Sequence, residues 1–170
     1  LEILEDRIPP HGPLRAIYLR EQAYIQYRAG EEAEAFASFK AAWQEDSSDA
    51  RAANGFAYLA ALRGEELELA LAVMDSILNE TPTYDPWIAH SGTSYVDWVE
   101  QQANHVAARL DTRAWILHQL GRSAEAASVA QRALLLTREP DPILYHHLGL
   151  ILLALDQEDA ALEALGRGLA

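Results

Sequence analysis

Residues 145–165, YHHLGLILLALDQEDAALEAL, place two apolar runs on either side of a short polar break. Gly149 and Ala161 are 12 positions apart across that break, one small residue on each run. Two helices in contact need small side chains where their axes cross, so this spacing describes a helical hairpin. The same spacing recurs upstream. Ala114 to Ala126 and Ala23 to Ala35 are each 12, and Ala57 to Ala70 is 13. The units also repeat as wholes: Gly30 to Gly64 is 34, while Ala35 to Ala70 and Ala126 to Ala161 are each 35. A fixed period near 34 residues predicts stacked helix pairs.

Composition agrees. Ala (31) and Leu (25) far outnumber Ile (9) and Val (5) among 170 residues, and straight or small side chains lose least freedom in a helix. Gly30, Gly64 and Gly121 stand where a helix must end and reverse. Glu31-Glu32 and Glu65-Glu66 follow two of them, placing carboxylates at the positive start of the next helix. Asp85-Pro86 and Asp141-Pro142 each set a capping carboxylate before a proline suited to the first helical turn.

The motif positions give the family resemblance. The chain resembles the tetratricopeptide repeat (TPR) family, whose pattern is W-x2-L-G-x2-Y, then A-x3-F, then P. The last unit reads Tyr145-x2-Leu148-Gly149-x2-Leu152 and Ala161-x3-Leu165; the third reads Leu110-x2-Arg113-Ala114-x2-Leu117 and Ala126-x3-Ala130. The first has Leu19-x2-Gln22-Ala23, Ala35-x3-Phe39 and Ala42; the second has Phe56-Ala57, Ala70-x3-Met74 and Pro82. Asp156 stands where the family prefers Gly in the turn, and Gln22 and Arg113 where it prefers Leu. The resemblance implies an all-α helix-turn-helix solenoid, a right-handed superhelix, with one inserted helical segment. Its expected organisation is a tail of a preceding repeat over 1–14, repeats over 15–48 and 49–82, an insertion over 83–106, and repeats over 107–140 and 141–170. Both ends read as cut, so the chain is expected to be a segment of a longer repeat protein; self-association through uncapped ends is the rival reading.

The insertion carries Tyr84, Trp87, Tyr95 and Trp98. Ser94 through Asp97 is a capping-box signature, and apolar residues then step through Val96, Val99, Ala103, Val106, Leu110, Ala114 and Leu117. One unbroken helix of roughly 26 residues, about 39 Å long, is expected from Ser94 to Leu120. Trp87, Tyr95 and Trp98 are its candidate surface, either closing one end of a groove or meeting a second partner.

Charge and chemistry narrow the function classes. The formal net charge of −13 argues against nucleic acid and anionic membranes, which reward clustered Lys and Arg. Nothing in the apolar C-terminal third approaches the roughly 20 apolar residues of a membrane span. Zero cysteines exclude a disulfide framework and fit bacterial cytoplasm and periplasm equally. Lys40 is the only lysine, and this Arg bias points to a GC-rich bacterial source. No nucleophile elbow, phosphate loop or HExxH occurs, and His146-His147 point to different sides of a helix, so no enzyme, cofactor or metal site is expected.

The resemblance instead directs attention to the inner groove, lined by the first helix of each pair. The candidate partner-binding residues are Arg20, Tyr24, Tyr27 and Arg28 in the first unit, and Arg51, Asn54 and Tyr58 in the second. Trp115 and His118 follow in the third. Arginines and aromatics supply contact area and bidentate bonds to carboxylates. Tyr24 and Gly55 occupy the asparagine places of the two-carboxylate clamp, which disfavours a C-terminal EEVD-type ligand. The expected function is a non-catalytic protein- or peptide-binding scaffold, in a bacterial envelope or exopolysaccharide-export assembly. The alternatives are a cytosolic secretion chaperone and the repeat region of a larger enzyme such as a glycosyltransferase.

Overall fold

The computed structural model describes residues 9–79, 94–139 and 141–169. It forms two compact units, residues 1–77 and 78–170. The first holds α1 (Pro13–Arg28), α2 (Glu32–Glu45), α3 (Ala50–Arg63) and α4 (Leu67–Asn79), whose last turn reaches the boundary. The second holds α5 (Tyr95–Gln119), α6 (Ser123–Leu134), α7 (Pro142–Leu153) and α8 (Glu158–Gly168). No strand occurs among the described residues. The all-α expectation of paired helices holds.

In the first unit α1 packs on α2, α2 on α3, and α1 also touches α3. The crossings are made by alanines: Ala16, Ala23, Ala35, Ala42 and Ala57 are fully buried. Between them Phe56 stacks on Trp43, with centroids 5.5 Å apart and planes 5° from parallel, and meets Phe36 at 5.5 Å. Such ring pairs add about 0.5–1.5 kcal/mol each beyond the area they bury. In the second unit α5 packs on α6 and α7, α6 on α7, and α7 on α8. Ala114, Ile116, Leu117, Ala126, Ala133, Ile151 and Ala161 form its fully buried centre.

The long helix is present. Ser94 caps α5 by accepting from the Asp97 amide, while the Asp97 carboxylate accepts back from the Ser94 amide. From that capping box the helix runs 25 residues without a break, about 38 Å at roughly 1.5 Å per residue. Trp87, the Asp85-Pro86 cap, and the residues before Pro9 lie outside the described residues.

The four turns that join α1 to α2, α3 to α4, α5 to α6 and α7 to α8 share one backbone device. A residue with positive φ follows the helix, and the next amide reaches back to a carbonyl five residues earlier. These bonds are Glu31 to Gln26, Glu65 to Ala60, Arg122 to Leu117 and Gln157 to Leu152, at 2.8–3.0 Å. Gly30, Gly64 and Gly121 supply the left-handed residue in three turns, with φ between 68° and 80°. Asp156 supplies it in the fourth, at φ 58°. A left-handed L-residue costs about 1–2 kcal/mol, less for Asp or Asn, and Gly avoids the cost. Asp156→Gly is therefore expected to raise stability by roughly 1 kcal/mol, and Gly121→Asp to lower it by a similar amount. Urea unfolding midpoints of the two variants check the pair.

Candidate functional site

The face shared by α1 and α3 carries the most developed site in the first unit. Tyr24 and Tyr27 stand one helical turn apart on α1, while Asn54, Gly55, Tyr58 and Leu59 come from α3 and Phe39 rises from α2. Together they line a cavity of about 130 Å³. Tyr24 meets Phe39 edge-on at 5.0 Å, and Tyr27 meets Tyr58 edge-on at 6.4 Å. Asn54 Oδ1 is buried and has no hydrogen-bond partner among the described residues. Burial holds the Tyr24 phenol above its usual pKa range against the opposing pull of Arg51 and Arg20, so it stays protonated at neutral pH.

Gly55 explains how Phe39 reaches this site. A Cβ at Gly55 would lie 2.6 Å from two carbons of the Phe39 ring. The ring rests on bare helix backbone there, and a larger residue would push it off.

Of the seven candidates in this unit, the fold brings Tyr24, Tyr27, Asn54 and Tyr58 together around the cavity. Arg28 lies one turn past Tyr24 on the same face of α1, and Arg51 one turn before Asn54 on α3. Both are exposed, and neither makes an ion pair among the described residues.

Arg20 is a correction. Expected to face a partner, it is 5% exposed and its guanidinium is held by Asp49 and Glu21. Asp49 performs two tasks at once. One carboxylate oxygen accepts from the Arg51 and Ala52 amides at the start of α3, and the other binds Arg20.

In the second unit the expected groove residues turn inward. Trp115 is 9% exposed and stacks on His147, with centroids 4.5 Å apart and planes 14° from parallel. His147 Nδ1 and Asp111 Oδ2 are 2.8 Å apart, and both side chains are buried. His118 is half-buried, 5.1 Å from the Trp115 ring, with Nδ1 3.0 Å from Ser123 Oγ. So Trp115 is a core residue, and of the two adjacent histidines His146 is exposed and His147 buried. The Asp111–His147 pair, 36 residues apart, is not legible from helical projection, which does not report the residue opposite on a neighbouring helix. Burial raises the Asp111 pKa above the usual carboxylate range, opposed by His147. His118 is lowered by burial and by the nearby His147. No group of three His, Asp or Glu able to hold a metal ion occurs among the described residues.

The insertion offers a third surface. Tyr95 is exposed and stacks at 6.0 Å on Trp98, which is half-buried. Beside them Val96, Val99 and Ala103 of α5 face Leu136, Thr137 and Arg138 across a cavity of about 720 Å³. Arg138 pairs with Glu100 at 3.3 Å across it.

No protein-family model matches the sequence, and no curated protein matches it. Among solved structures, a TPR-like protein of Chlorobium tepidum superposes with a TM-score of 0.54 at 20% identity. The match covers 92% of this chain and 96% of that one. A thermophilic TPR protein of Thermus thermophilus matches at 18% identity and a TM-score of 0.46, covering 91% and 90%. These likenesses concern the fold.

Removing either buried partner alone, by Asp111→Leu or His147→Leu, is expected to cost about 3–5 kcal/mol, with most of it recovered in the double variant. The pH response of His118 has a definite sign. Its folded pKa lies below the ordinary value near 6.5, so its stabilisation is complete above that value and is lost as pH falls through the folded one. Asp111 acts oppositely: its raised folded pKa gives stability present below the ordinary carboxylate range and lost as pH rises through the folded value. The quantity to read is therefore the difference between wild type and His118→Asn. Urea unfolding at pH 7 and pH 5 is expected to show a smaller acid loss in the variant.

Proposed function

From the tetratricopeptide-repeat fold of this chain, we propose that it is a non-catalytic scaffold holding a protein or peptide segment on the α1/α3 face of its first unit. The observation that carries this reading is the cavity walled by Tyr24, Tyr27 and Tyr58, with Arg28 and Arg51, unpaired among the described residues, on the same helix faces. Tyrosines offer large rigid area with a polar tip, and arginines offer forked donors, which are the side chains that concentrate binding energy at interfaces. A catalytic reading of this cavity has little support. No His, Asp, Glu, Ser or Cys lines it, and the Tyr24 phenol is held protonated. An export assembly, a secretion chaperone and the repeat region of an enzyme would all ask the same of it, a face that grips an extended or helical segment.

The test is selection of peptides from a random displayed library on the immobilised chain, followed by affinity measurement on Arg28→Glu/Arg51→Glu. Both positions are exposed, so helicity is expected to be unchanged. Selected peptides are expected to lose roughly tenfold or more in affinity, the loss of one or two charge-assisted contacts. Undiminished binding by the folded double variant would move the site off this face, with the Tyr95/Val99/Leu136 cavity next in line.

A further inference from the structure

Two features of the α1/α3 face narrow the chemistry of its ligand. The cavity is close in size to the roughly 150 Å³ apolar cavity that accepts a benzene-sized guest. It is open to solvent and has room for one branched aliphatic or ring side chain.

Charge supplies the second feature. The chain is strongly acidic, and most of its described cations are engaged. Arg20, Lys40, Arg63, Arg113, Arg122, Arg138 and Arg167 all pair with Asp or Glu. Arg28 and Arg51 do not, and they stand on the same two helix faces as the cavity. In a molecule of net charge −13, two exposed arginines outside any ion pair among the described residues favour acidic segments over basic ones at this face.

We propose that the face takes an acidic peptide that buries a single Leu- or Phe-sized side chain among Tyr24, Tyr27 and Tyr58. The peptide sets flanking carboxylates on Arg28 and Arg51. This rests on the α1/α3 face being the binding surface. It adds the occupant: one apolar anchor with acidic neighbours.

Fluorescein-labelled peptides of about eleven residues on a Gly/Ser background test it by anisotropy against the full chain. The central residue is Leu or Ala, and the flanking residues are Glu or Lys. The Leu-centred, Glu-flanked peptide is expected to bind roughly tenfold tighter than either the Ala-centred or the Lys-flanked one, and to weaken in high salt. Arg28→Glu/Arg51→Glu is expected to reverse the flank preference towards Lys.

Equal binding of Leu- and Ala-centred peptides overturns the anchor. A flank preference that survives the arginine reversal overturns the charge assignment. If library-selected peptides still depend on Arg28 and Arg51 while these designed ones do not discriminate, the occupant is wrong and the surface stands. If neither set depends on them, both fail.

Discussion

The contact of Phe39 with the naked backbone of α3 at Gly55 is the constraint on which the candidate site depends. A ring 2.6 Å from where a Cβ would stand requires that none be there. That close approach draws α2 against α3 and leaves the exposed edge of Phe39 as a support for Tyr24 at 5.0 Å. Tyr27 and Tyr58 then close the opposite side at 6.4 Å. The walls of the cavity are thus side chains from three helices, held by packing that also forms the core.

Asp49 fixes the same arrangement electrostatically. Because it caps α3 and grips Arg20 of α1, it ties the first turn of α3 to the middle of α1. The register so imposed brings Asn54 and Tyr58 to the face that carries Tyr24 and Tyr27. It also holds the Arg20 guanidinium in a buried ion pair. Arg28 and Arg51 remain exposed on that face.

What the sequence made legible was local. The glycine turns, the Ser94–Asp97 capping box, the Asp141 cap and the unbroken α5 are each decided by residues within a few positions of one another, and all are present. Projection onto helical faces also grouped Tyr24, Tyr27, Asn54 and Tyr58, because α1 and α3 are equivalent helices of successive helix pairs. The failures are non-local. Arg20 meets Asp49 across 29 positions and Asp111 meets His147 across 36, and no periodicity reports which residue of a neighbouring helix will be opposite. Trp115 followed from that pair: once His147 turned inward, the indole had a ring to stack on and became core. The Asp156 turn shows the converse, a local pattern filled by an unfavoured residue yet closed by the same backbone bond.

The most direct measurement is a set of intermolecular nuclear Overhauser effects on the chain bound to a methyl-labelled, Leu-centred acidic peptide. The account predicts contacts from the leucine methyls to the ring protons of Tyr24, Tyr27 and Tyr58. Contacts to Tyr95, Val99 and Leu136 instead, with those three tyrosines silent, would contradict it.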